Sequence, residues 1–262
     1  MGEIRSSLDA GVLTVTLDNA PMNGMSLGMA GQLAETIAAA AANEEIGAVV
    51  VTGAGDRAFC AGSDIGELRR LHETGEGPGA LLTAENRAFD MLANLEIPTV
   101  AAVNGVCVGG GVELAICCDM ILAADEASFS LPEIRLGVFP GIGGTVRLPR
   151  RVGHGRAMEM MLTGRDVQAA EAQQWGLANR LVPRAELAAE AAKLARRFAA
   201  GPRMAVASLK GAMREGWELP EADALRLGLE RAIALGKSPE VAEGLRAFAA
   251  KEKPDFAMAR RR

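Results

Sequence analysis

Tyrosine is absent from this 262-residue chain, and tryptophan and histidine each occur only twice. The missing tyrosine removes one pocket-lining residue type without selecting any substrate. Basic residues are outnumbered, 28 Lys and Arg against 33 Asp and Glu, for a net charge of −5. That balance argues against a general nucleic-acid binder, which presents a basic face. It leaves room for a polyanionic small molecule, because a few local cations and helix ends suffice to hold one. The terminal Arg260, Arg261 and Arg262 read as a solvated tail.

Cysteine is scarce as well. Cys60, Cys107, Cys117 and Cys118 have no C-x-x-C spacing, and His72 and His154 have no ligand-like neighbours, so no metal site is expected. Buried, reduced thiols in a cytoplasmic protein are the plain reading. Met1–Asp9 carries charge and lacks the apolar core of a signal peptide, so none is expected. The longest apolar stretch, Thr99–Cys118, is interrupted by glycines, Asn104 and Glu113, which is a poor pattern for a membrane span.

What is present is a hydrophobic content of 49% with 23% charged residues, ordinary for an enzyme with a full core. Val12–Leu17 alternates as a half-buried strand does. Ser26 is placed to cap a helix running through Ala42. Ala48–Val51 and Thr99–Val103 are continuous apolar runs, the pattern of strands buried on both faces. Met120–Ala123 and Ala127–Phe129 read as short strands. Helices are expected from Asp64 and over Thr83–Leu95, separated by the Gly-rich loop Glu73–Gly79. The first half thus repeats strand, Gly-bearing turn and helix, an α/β pattern. Past about Ala169 the signal turns helical, over Glu171–Trp175, Ala185–Ala199, Arg203–Glu215, Glu221–Leu235 and Pro239–Ala250. This divides the chain into a core of residues 1–200 and a helical region of residues 201–262 suited to self-association.

Two Gly-rich segments carry chemistry. Gly53–Ala58 matches a G-x-G-x-x-G/A fingerprint after a strand, but no helix begins at once and no acidic residue ends a following strand. A dinucleotide site is therefore not expected. Gly109-Gly110-Gly111 instead follows a strand and opens the helix-like stretch Glu113–Cys118. Its main-chain N–H groups are unobstructed by side chains, and the helix N-terminus favours negative charge. Glu113, and Glu133 twenty residues on, add two candidate acid/base groups. Such parts could stabilise an enolate while moving protons beside it.

Five ordered motifs bear on this reading. They are Ala58–Leu68 (AFCAGSDIGEL), Ala102–Gly105 running on through Gly109–Ala115 (GGGVELA), Ser128–Ile134 (SFSLPEI), Leu136-Gly137 with Pro140–Thr145, and Trp175–Ala178. Over nearly the whole chain the sequence resembles the crotonase family, and within it the enoyl-CoA hydratases. The resemblance implies a spiral of ββα units, a C-terminal helical trimerisation region, and a homotrimer or dimer of trimers. It also implies an acyl-CoA substrate, with no cofactor beyond that coenzyme A moiety, no nucleic acid and no membrane. By motif position, the Ser63 and Gly110 N–H groups would hold the thioester oxygen. Glu113 would be the water-activating base and Glu133 the proton donor to carbon. Carbonyls around Ala61, Ser63, Asp64 and Ile65 would meet the adenine, and Phe248 and Lys251 would reach the adenosine end, commonly from a neighbouring subunit. The Ser63 hydroxyl lacks a base motif, so it is not expected to be a nucleophile. The sequence departs from the family in three places. Asn19–Met25 lacks the basic residue many relatives place against the coenzyme phosphates, Leu131 stands where many hydratases carry Gln, and the Glu73–Gly79 insert falls in the acyl-pocket region.

Overall fold

The computed structural model describes residues 2–260; Met1 and the last two arginines of the expected tail lie outside them. The strands are β1 (Glu3–Asp9), β2 (Val12–Asp18), β3 (Ala48–Gly53), β4 (Ala58–Cys60), β5 (Thr99–Val103), β6 (Val106–Val108), β7 (Met120–Ala124), β8 (Ser128–Ser130), β9 (Val167–Gln168) and β10 (Arg180–Val182). They form a six-stranded sheet in the order β1-β2-β3-β5-β7-β10 and a four-stranded sheet in the order β4-β6-β8-β9. All neighbours in the larger sheet run parallel except β1 with β2; in the smaller, only β8 with β9 is antiparallel.

Each of three successive turns of chain gives one strand to each sheet: β3 then β4, β5 then β6, β7 then β8. The expected ββα spiral is this rhythm. β5 is buried at every residue and β3 at all but Thr52, which is why both read as unbroken apolar runs. β1, β4, β6, β9 and β10 were not expected. β1 is a polar edge strand, and the others are two or three residues long, too short for any periodicity to show.

The helices on the first half are α1 (Leu27–Ala42), α2 (Ile65–Glu73), α3 (Gly79–Ala93) and α4 (Gly110–Ala115). The Ser26 hydroxyl accepts the Met29 N–H at 3.3 Å, so the expected cap is made. α1 buries the stripe Met29, Leu33, Ile37 and Ala40 and packs on α3. Gly53–Ala58 joins β3 to β4 with no helix directly after it.

A 3-10 turn at Glu133–Leu136 precedes α5 (Gly144–Val152), α6 (His154–Thr163) and α7 (Ala169–Gln174). α5 and α6 were missed in a stretch where glycine, proline and arginine obscure the pattern. α8 (Arg184–Ala199) lays Leu187, Ala191, Leu194 and Ala195 across the large sheet, against β2, β3, β5 and β7. Beyond it come α9 (Arg203–Gly216), α10 (Glu221–Leu235), α11 (Pro239–Ala250) and α12 (Phe256–Arg260). No helix among the described residues is long and apolar enough to cross a membrane.

Candidate active site

The site lies at one end of the small sheet. Its three parallel strands, β4, β6 and β8, leave in turn into Ala61–Asp64, Gly109–Glu113 and Leu131–Glu133. Strands in register deliver their loops to a common edge, so three segments distant in sequence become neighbours at the carboxyl ends of the strands, where open α/β sheets bind ligands.

The first two loops touch. A Cβ built on Gly62 would lie 3.1 Å from the Gly110 nitrogen, and one on Gly110 would lie 3.6 Å from the Ser63 nitrogen. Neither main-chain N–H, of Ser63 or of Gly110, is used in a hydrogen bond among the described residues. Two adjacent, unused N–H groups, one of them at a helix N-terminus, are donors that a negatively charged oxygen could use. Three constraints hold them there. The Met25 N–H donates to the Gly62 carbonyl at 2.7 Å, and the Asp64 N–H donates to the Met25 carbonyl at 2.8 Å. Gly109 takes φ +56°, a left-handed turn that lets α4 start beneath the loop, and its N–H donates to the Ser130 carbonyl at 2.9 Å.

Glu113 projects from the first turn of α4 and is 2% exposed. Its Oε1 accepts the Ile142 N–H at 2.7 Å and the Gly144 N–H at 2.8 Å. Burial raises its carboxyl above the usual range, while the two N–H donors and the Arg147 guanidinium oppose that rise. Arg147 is itself anchored by an ion pair with Asp90.

Glu133 begins the 3-10 turn, and a Cβ on Gly109 would lie 3.1 Å from its Oε1. Its Oε2 is buried without a hydrogen-bond partner. Burial pushes its carboxyl up to about 7, its own N–H works against this, and the Glu113 charge adds to the rise. Leu131, two residues before Glu133, is fully buried, and its side chain has no donor to offer. The two carboxyls therefore share a field but not an environment. Glu113 has donors and a cation favouring its charge, and Glu133 has an orphaned oxygen favouring a proton.

Sequence reasoning missed a third carboxylate. Glu85 on α3 is fully buried, and its Oε2 accepts the Ser63 hydroxyl at 2.8 Å, while its Oε1 has no partner. The signal was available: Leu81, Glu85, Ala88 and Leu92 occupy one face of the helix, so a charge stands in an apolar stripe. Arg147 was missed too, and its position beside Glu113 had no sequence signal.

The remaining coenzyme-binding expectations divide. Ala61 and Ser63 lie in the loop after β4, with Asp64 as the N-cap of α2, its Oδ1 accepting the Glu67 N–H at 2.9 Å. Ile65, the first residue of α2, is exposed. Phe248 is 86% exposed near the end of α11, and Lys251 is its left-handed C-cap. No hydrogen bond or ion pair links either of them to the Ala61–Ile65 loop among the described residues.

A family model described as enoyl-CoA hydratase/isomerase matches residues 7–259. A probable mitochondrial enoyl-CoA hydratase from Dictyostelium discoideum is 35% identical over 235 residues, covering 90% of this chain and 83% of the relative. A carnitinyl-CoA dehydratase from Proteus mirabilis is 37% identical over 254 residues, 94% of each chain. The crystal structure of an enoyl-CoA hydratase from Bacillus anthracis superposes with a TM-score of 0.92 at 32% identity, covering 97% of this chain and 99% of that one. With its ββα spiral, its paired main-chain donors and its motifs in order, the protein is an enzyme of the enoyl-CoA hydratase/isomerase family, the crotonases.

Proposed function

We propose that the protein hydrates a trans-2-enoyl-CoA thioester to a 3-hydroxyacyl-CoA in acyl-CoA degradation. The observation that carries this reading is the contrast between the two carboxyls at one site. Oε1 of Glu113 is held by two main-chain N–H groups, whereas Oε2 of Glu133 is buried with none. Hydration needs one ionised and one protonated carboxyl at once.

In the reaction, Glu113 takes a proton from water as the water oxygen bonds to the β-carbon. The electron pair of the double bond moves onto the thioester oxygen, where the Ser63 and Gly110 N–H groups receive the enolate charge. One such donor is worth roughly 3–4 kcal/mol of transition-state stabilisation. Glu133 then delivers its proton to the α-carbon. Proton exchange with solvent returns Glu113 to the ionised form and Glu133 to the neutral one. Dehydration is the same path reversed.

The adenine end of coenzyme A is assigned to the carbonyls of Ala61–Ile65, with Phe248 and Lys251 contributed by a neighbouring copy, since both face outward here. Trp217, the C-cap of α9, and Leu225, Leu229 and Ile233 on α10 are exposed, an apolar surface that a homotrimer or dimer of trimers would cover. The region from residue 201 on is the oligomerisation unit, and residues 1–200 form the core. The four buried free cysteines suit a reducing compartment, the cytoplasm.

The test is loss of conjugated-thioester absorbance on crotonyl-CoA, with Glu113→Gln and Glu133→Gln as controls. Loss of turnover in both variants, at least about 10²-fold each, supports hydration. Activity confined to a 3-enoyl thioester and insensitive to Glu113→Gln would identify an isomerase instead. Thioester binding without turnover would identify a non-catalytic scaffold.

A further inference from the structure

Glu85 is a buried carboxyl that the hydration chemistry does not use. It lies on α3, outside the three strand-end loops, yet its Oε2 holds the hydroxyl of Ser63 at 2.8 Å. Ser63 is the residue whose main-chain N–H must face the thioester oxygen. The Ala61–Asp64 loop is bound on its other side by Met25, so the Ser63 hydroxyl is its anchor toward α3. Resting on the oxyanion-hole reading above, we propose that Glu85 is a positioning residue, a neutral carboxylic acid that fixes the Ser63 donor through its hydroxyl.

The neutral form follows from the surroundings. An ionised carboxylate buried with one hydrogen bond and one bare oxygen is costly. The ionisable groups around it supply no cation. Glu67 on α2 and Glu113 on α4 both disfavour its charge, and Cys60 at the end of β4 lies within its field. Burial is the largest cause, and the carboxyl is pushed up to about 8 with the Ser63 hydroxyl opposing. Ionised, Glu85 would set a negative charge behind the donor that must stabilise an enolate; neutral, it anchors without that opposition.

Two readouts separate positioning from mere packing. The first is the pH dependence of kcat/KM on crotonyl-CoA. Above about pH 8 the wild-type logarithmic slope steepens beyond −1, because Glu133 and Glu85 both lose protons. In Glu85→Gln, which still accepts the Ser63 hydroxyl, the slope stays at −1. Glu85→Ala lowers kcat about 10-fold at pH 7 with KM little changed, Ser63→Ala does the same, and the double variant is no worse than either. Glu85→Gln restores most of the loss.

The second readout needs no turnover: the ultraviolet band of the enolate formed by bound acetoacetyl-CoA. Its intensity falls in Glu85→Ala and recovers in Glu85→Gln. An unchanged enolate fraction in a folded Glu85→Ala protein overturns the proposal, as does a Glu85→Gln protein that keeps the steep alkaline slope. If wild type leaves crotonyl-CoA intact, the hydratase reading fails while the enolate band alone decides the role of Glu85. If wild type forms no bound enolate at all, both fail.

Discussion

The Gly144 N–H donates to Glu113 Oε1 at 2.8 Å, and a Cβ on Gly144 would sit 2.9 Å from that same oxygen. The glycine is thus both the donor and the clearance for the carboxylate. Gly144→Ala must push against Glu113 on one side and against Pro140, 2.7 Å from the added carbon, on the other. The expected outcome is a loss of kcat of about 10-fold or more from a displaced base, with coenzyme A affinity kept. Steady-state kinetics beside calorimetric titration with coenzyme A would check it; equal losses in both would mean general misfolding.

The pH profile in the hydration direction follows from the two carboxyls. Glu133 must be protonated, and its carboxyl stands near 7, so kcat/KM falls as pH rises through that value. Glu113 must be ionised, so activity also falls on the acid side, at a pH above the ordinary carboxylate range because burial raises it. The pair titrates as a unit, so the two limbs belong to the pair. A profile flat from pH 6 to 9 would contradict the assignment of Glu133 as the proton donor.

Raised carboxyls bear on stability with a defined sign. Glu85 binds its proton more tightly folded than unfolded, so folding stability declines as pH rises from about 4.5 toward about 8 and levels off beyond. Glu85→Gln removes that dependence. Its melting temperature should exceed that of wild type at pH 8 by more than at pH 5, measurable by scanning calorimetry. An equal difference at both values would show that Glu85 ionises normally.

Gly111 sits where α4 passes β4. A Cβ there would come within 2.1 Å of the Cys60 carbonyl oxygen, an approach that only backbone movement could relieve. Gly111→Ala should therefore destabilise the protein by about 1–3 kcal/mol or more, as overpacking does, and abolish activity with it. Denaturant unfolding checks the first part. Normal stability with lost activity would mean that the loop simply shifts.

Leu225, Leu229 and Ile233 repeat every four residues along α10 and are each more than 60% exposed. Leu229→Glu places a charge in the middle of that row. The variant should elute as a smaller species than wild type in size-exclusion chromatography with light scattering, with far-ultraviolet circular dichroism preserved. Co-elution with wild type would locate any oligomer contact elsewhere.

Much of this protein was determined by local pattern. Buried strands Ala48–Gly53 and Thr99–Val103, the Ser26 cap and the helices Glu221–Leu235 and Pro239–Ala250 all follow from periodicity and capping, because their neighbours in sequence decide them. Glu113 and Glu133 were legible because Gly- and Pro-bearing motifs frame them. Tertiary structure decided what those carboxyls experience. Ile142 and Gly144, about thirty residues away, supply the N–H groups on Glu113, and Arg147 supplies the cation. Glu85 reaches Ser63 only because α3 packs over the loop after β4. A one-dimensional pattern records which face of an element is apolar. It does not record which distant donor that face will meet, and the charge state of a buried acid depends on that meeting.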